Sequence, residues 1–194
     1  MQPFLMSAAK GYNWTMKKQA HAPKRGSSEG GEATGGRPRD PATSRSILEA
    51  ALALGSEVGS VELFIGLGES TSSLHRSDAS ETGQSETVQI TTVDRICAEQ
   101  QIGTIDLLKI DTEGHEMDVL AGASKTLRDD RILAIQIEFG ETFLPTKYHF
   151  CDVYDLLSPK YKLYRVLRQG LYEVDRYTHD LEIYKLTNYL CIHR

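Results

Sequence analysis

The sequence predicts an α/β fold built on a mostly parallel sheet with an antiparallel last strand. Three observations carry this prediction. Residues 105–111 and 132–139 are short, nearly continuous apolar runs of strand length, suited to the interior of a sheet. Between them Met117, Leu120, Ala121, Ala123 and Leu127 recur at helical spacing on one face, which predicts a helix over 115–128. Strand, helix and strand in that order imply a parallel, right-handed crossover unit. Late strands over 161–167 and 188–192 follow a helix over 148–157 that ends before Pro159.

The elements before this unit differ in texture. Residues 1–45 read as a disordered leader, and 46–194 as the folded domain. Residues 24–38 contain no apolar side chain beyond Ala33, so they bury too little surface to offset their chain entropy. Phe4, Leu5, Met6, Tyr12, Trp14 and Met16 form no continuous apolar stretch and no cleavage pattern, which argues against a secretory signal. A basic, acid-poor start is also the composition of an organelle transit peptide, but a floppy leader on a cytoplasmic protein is the preferred reading.

From Ser46 onward, 47–54 is apolar, 55–60 reads as a turn and 61–65 alternates, which predicts a strand with an antiparallel return. Residues 66–86 read as a surface loop, 88–93 as a strand and 94–100 as a short helix. Polar and apolar residues alternate over 161–168, the pattern of a solvated edge strand rather than a nucleic-acid strip.

Composition narrows the function classes. The 194 residues carry a formal charge of −5, 40% hydrophobic residues and 25% charged residues, the balance of a globular protein with no global bias toward nucleic acid. That charge is split. Eight Lys and Arg against three Asp and Glu precede residue 46, leaving −10 on the remainder. No apolar run approaches the roughly 18–20 residues needed to span a bilayer, so no membrane partner is expected. Cys97, Cys151 and Cys191 are odd in number and form no C-x-x-C pair, so they read as small core residues in a reducing compartment.

The densest polar cluster is Asp111-Thr112-Glu113-Gly114-His115-Glu116, where a buried strand passes into a helix. Ligands of open α/β sheets bind at the carboxyl ends of strands. Three acids around one histidine suit general-base work, hydrogen bonding to hydroxyls, or a hard cation held by Asp111, Glu113 and Glu138. The competing explanation is structural. Acids favour a first helical turn, and Asp111 or Thr112 can cap its amides. Glu138 closes the next apolar strand, so parallel pairing would bring it beside Asp111 at the same sheet edge.

The run Lys109-Ile110-Asp111-Thr112-Glu113-Gly114-His115-Glu116 followed by Val119-Leu120-Ala121-Gly122-Ala123 resembles the hallmark K-I-D-x-E-G-x-E-x-x-V-L-x-G-A of FkbM-type methyltransferases. Thr92-Val93-Asp94-Arg95-Ile96 resembles an upstream T-[LV]-D-x-[LI] element of that family, and Ala51 to Gly55 with Gly59 its A-L-G…G turn. The resemblance covers 47–194. It implies the class I, Rossmann-like methyltransferase fold and methyl transfer from S-adenosylmethionine to an oxygen of a small molecule or glycan. It places Asp111, Leu54 and Gly55 on the cofactor side and Glu113, His115 and Glu138 on the acceptor side, with no metal required.

The family's glycine-rich cofactor loop, D-x-G-A-N-x-G, is not found. Gly66 and Gly68 follow an apolar run, but no helical pattern stands behind them. The domain therefore reads as N-terminally truncated, lacking the fold's first two strands. The alternative function is a non-catalytic remnant that binds a partner, or its own copy as an oligomer, through the sheet edge so exposed.

Overall fold

The computed structural model describes residues 4–8, 13–18, 47–64 and 85–194. Ten strands join in one sheet covered by short helices. In chain order these are β1 (Phe4–Ala8), β2 (Asn13–Lys18), β3 (Ile47–Leu54), β4 (Gly59–Phe64), β5 (Ser85–Thr91), α1 (Val93–Glu99), β6 (Leu107–Ile110), α2 (Glu116–Gly122), α3 (Ser124–Arg128), β7 (Ala134–Phe139), α4 (Phe150–Leu157), β8 (Tyr161–Leu167), β9 (Gly170–Val174) and β10 (Thr187–His193). Across the sheet the order is β4-β5-β3-β2-β1-β6-β7-β10-β8-β9.

The α/β class and the central unit stand as expected. β6 and β7 pair in parallel, Leu108 with Ile135 and Ile110 with Ile137, and the helices cross between them. The last strand, β10, is antiparallel to both β7 and β8. A mostly parallel sheet is corrected, because only β1–β6, β3–β5 and β6–β7 pair in parallel among nine pairings of the described strands. Short connections such as that from β8 to β9 allow only antiparallel return.

The expected absence of two strands ahead of β3 is also corrected. Within the stretch read as a leader, β1 pairs in parallel with β6, Leu5 opposite Leu107, and β2 bridges β1 and β3 antiparallel. Residues 19–46 lie outside the described residues, as does most of the expected 66–86 loop. The predicted β3–β4 hairpin does not form, since β5 stands between them, parallel to β3 and antiparallel to β4. Nor is β8 an edge. The unpredicted strand β9 covers it, leaving β4 and β9 outermost among the described strands.

One main core lies between sheet and helices. Alternate residues of β6 and β7 are buried, and Leu108, Ile110, Ile135, Ile137 and Phe139 meet Val119, Leu120, Leu127, Phe150, Val153 and Leu157. Cys97 and Cys191 belong to this core, while Cys151 is half-buried. Phe139 anchors an aromatic cluster, with ring centroids 4.6 Å from Phe143, 5.4 Å from Phe150 and 5.3 Å from Tyr184.

The single helix predicted over 115–128 is broken at Ala123, whose amide bonds Leu120 rather than the carbonyl four residues back. The break has a physical cause. Asp94 of α1 accepts the amides of Lys125 and Thr126, each at 2.8 Å, and so caps α3 as a separate helix. Thr92 caps α1 in the same way through the Arg95 amide at 3.1 Å.

Candidate functional site

The pairing fixes one edge of the sheet as chemically distinct. β1, β6 and β7 run in one direction, and β3 and β5 share it because β2 is antiparallel to both β1 and β3. Their carboxyl ends therefore line a common edge. Asp111 follows Ile110, Glu138 follows Ile137, and those two isoleucines are register partners, so the two acids are neighbours there as the sequence implied.

Asp111 is only 8% exposed. Its Oδ2 accepts from Lys109 Nζ at 2.8 Å, while its Oδ1 is buried with no hydrogen-bond partner. The hydroxyl of Thr112 is likewise buried and unpartnered. A buried polar atom without a partner is costly, so two of them in consecutive residues mark a place where a ligand's polar groups would be stabilising.

The chain then turns sharply. Glu113 and Gly114 both take positive φ, 56° and 104°. The left-handed region costs a residue with a side chain something and suits glycine. Glu116 closes the turn. Its Oε1 accepts the Thr112 amide at 2.8 Å and its Oε2 the Gly114 amide at 3.0 Å, with the residue 1% exposed. Burial pushes the Glu116 carboxyl above the usual glutamate range, opposed by the amides that bond it. The capping expected of Asp111 or Thr112 is thus reversed, because Thr112 donates and the acid of the helix accepts.

His115 immediately precedes α2, with Nδ1 3.1 Å from Asp118 Oδ2. A carboxylate only accepts, so Nδ1 is the donor of that pair. Glu138 is half-buried and accepts from Asn188 Nδ2 at 3.3 Å. The same side chain of Asn188 takes Gln136 Nε2 at 2.9 Å. Asn188 is the register partner of Glu138 on β10, so strand pairing itself sets this contact.

Leu54 and Gly55 share the edge but stand apart from Asp111. Strands β2 and β1 intervene, a lateral offset of roughly 14 Å at about 4.8 Å per strand. Leu54 packs in the core, and the Gly55 amide donates to the Thr91 carbonyl at 3.0 Å. The end of α2 seats against this turn, where a Cβ on Gly122 would come within 2.0 Å of the Gly55 carbonyl oxygen. Among the described residues no group of three or more His, Cys, Asp or Glu side chains converges as cation ligands, so Asp111, Glu113 and Glu138 do not form such a set. An apolar groove of about 460 Å³ runs over the helices, between Met117, Leu120 and Leu127 on one side and Leu156, Leu157 and Tyr161 on the other. No helix among the described residues is long and apolar enough to cross a membrane.

Sequence reasoning singled out Asp111, Glu113, His115 and Glu138 but missed the side chains that hold them. Asn188 is visible only once strand register is known, whereas Lys109 lies two residues before Asp111 along the same chain segment and Glu116 and Asp118 lie at helical spacing from residues already chosen.

Residues 37–166 match the family model described as the methyltransferase FkbM domain. The match begins ahead of the stretch covered by the hallmark resemblance and stops at the end of β8. No curated protein and no solved structure matches the chain. The hallmark run supplies the whole β6–α2 corner and the family match spans well over half of the sequence, so the chain belongs to the FkbM methyltransferase family.

Proposed function

We propose that the protein transfers a methyl group from S-adenosylmethionine to a hydroxyl oxygen of a small molecule or glycan, at the carboxyl edge formed by β6 and β7. The observation that carries the reading is the pair of buried, unpartnered atoms Asp111 Oδ1 and Thr112 Oγ1 beside Glu138. These atoms fit a ligand rich in hydroxyl and ammonium donors. Asp111 would hold the cofactor on this side, with Leu54 and Gly55 along the same edge. The cofactor supplies an electrophilic methyl on a sulfonium sulfur.

The chain's own residues then orient the acceptor and take its proton. Glu113 and Glu138 are the groups to position the hydroxyl, which must stand within about 3–3.5 Å of the methyl carbon. His115 Nε2 would accept the hydroxyl proton during the transfer, and the Asp118 carboxylate would stabilise the resulting imidazolium. Calorimetric titration of the full chain with S-adenosylhomocysteine tests the reading. Saturable heat is expected, and folded protein that gives none would sink it.

A second reading is an interaction module without turnover. It rests on β9, an outer strand whose Leu171 and Tyr172 are 51% and 65% exposed beside Val166 and Leu167 of β8. An apolar outer strand is a ready template for another chain. Among the described strands β4 is the other outermost one. Light scattering that finds a monomer at every concentration, with nothing captured in pull-down, would remove this reading.

A further inference from the structure

The carboxylate of Glu116 directs both oxygens to its own backbone. It spans the turn from inside, bonding the amides at positions 112 and 114 while lying almost wholly buried. Between those amides Glu113 holds a left-handed φ of 56°, and Gly114 follows at 104°. A residue with a side chain keeps that conformation only where its surroundings over-determine it. The N-cap of α2, His115, makes no side-chain capping bond.

Upstream of the turn lie Asp111 and Thr112, whose Oδ1 and Oγ1 have no partners of their own. The Asp111 carboxylate is tied through its other oxygen to Lys109 Nζ at 2.8 Å, and the backbone of both residues runs directly into the turn that Glu116 clamps. From this arrangement we propose that Glu116 is a positioning residue, which holds the 112–114 turn and thereby presents Asp111 and Thr112 to the ligand. The part that concerns the ligand rests on the function proposed above, whereas the clamp itself does not.

The two parts separate in one set of experiments on the full-length chain. Glu116→Gln keeps the shape but replaces one acceptor oxygen with an NH₂ group, and Glu116→Asp keeps the charge but shortens the reach. Amide exchange is followed by NMR at Thr112 and Gly114, with Ile135 and Ile137 of β7 as internal references. At least one turn amide is expected to exchange about tenfold faster in Glu116→Gln, the size of one lost hydrogen bond, while the β7 amides keep their wild-type rates. S-adenosylhomocysteine is expected to bind the variant more weakly by a similar factor.

If all four amides accelerate together, Glu116 merely stabilises the fold and the proposal is overturned. Turn amides that keep their wild-type rates overturn it as well. Should Glu116→Gln fail to fold, Glu116→Asp is read by the same criteria. A wild-type protein that binds no S-adenosylhomocysteine refutes the proposed function, and the exchange rates still decide on the clamp.

Discussion

His115 Nδ1 lies 3.1 Å from Asp118 Oδ2, three residues on along the same helix, so the imidazole that opens α2 is oriented by an acid from its own first turn. In the proposed reaction this pairing keeps Nε2 basic. His115→Ala is expected to lower kcat by about a hundredfold, the lower range for a positioned general base. Asp118→Asn is expected to lower kcat by about tenfold with KM nearly unchanged, because the amide no longer stabilises the imidazolium. Steady-state kinetics on an accepted substrate, with circular dichroism to confirm folding, checks both.

Glu116 makes stability depend on pH with a definite sign. Burial raises its pKa above the ordinary 4.5, so the folded chain binds this proton more tightly than the unfolded chain does. The contribution is fully present below about 4.5 and is lost as pH rises from there through the raised folded value. Glu116→Gln is expected to flatten that part of the profile. Urea midpoints measured across the acid range for both proteins give the slopes, and equal slopes would contradict the prediction.

Gly122 and Gly103 should respond oppositely to alanine. A Cβ at Gly122 would meet the Gly55 carbonyl oxygen at 2.0 Å, a backbone atom that moves only with the sheet edge. A Cβ at Gly103 meets nothing within 4 Å. Gly122→Ala is expected to lose about 1–3 kcal/mol through overpacking, and Gly103→Ala close to nothing. Denaturant unfolding of the two variants against wild type decides this.

Asp94 joins α1 to α3 by accepting the amides of Lys125 and Thr126 and the Thr126 hydroxyl. Asp94→Ala is expected to cost about 1–2 kcal/mol, the upper range for a lost cap. The corresponding loss for Glu99→Gln, whose partner Arg95 is exposed, should be near zero. A thermal melt of each variant provides the comparison.

The parts of this architecture that were readable in the sequence are those whose signals are local. The β6–α2–β7 unit declared itself through two apolar runs and a helical stripe, and parallel register then brought Glu138 beside Asp111. Strand β1 gave no such signal, because Phe4-Leu5-Met6-Ser7-Ala8 has little alternation and its identity as an inner strand comes from Leu107 to Ile110, far along the chain. The misplaced β3–β4 hairpin has the same origin. Proximity in sequence favoured it, but β5 supplies hydrogen bonds to both strands. Strand β9 follows a two-residue turn at Arg168 and Gln169, and its first residue, Gly170, takes a φ of 135° that only the structure displays. At the site, residue types were legible and bonding directions were not. Asp111, Glu113, His115 and Glu138 could be named from composition and spacing, but whether Glu116 faced solvent or its own backbone depended on a turn that only three-dimensional geometry displays.

The placement of β1 carries a consequence for how the molecule is made. Leu5 pairs with Leu107, a partner about a hundred residues further along, and β1 divides the β6-to-β9 half of the sheet from the β2-to-β4 half. During synthesis β1 emerges long before β6 and must wait for it before its inner edge can be paired. High contact order of this kind slows folding, and it leaves an early strand edge open to other nascent chains in the interval. The protein's yield in a cell would then depend on what shelters β1 and β2 while the hallmark segment is still being translated.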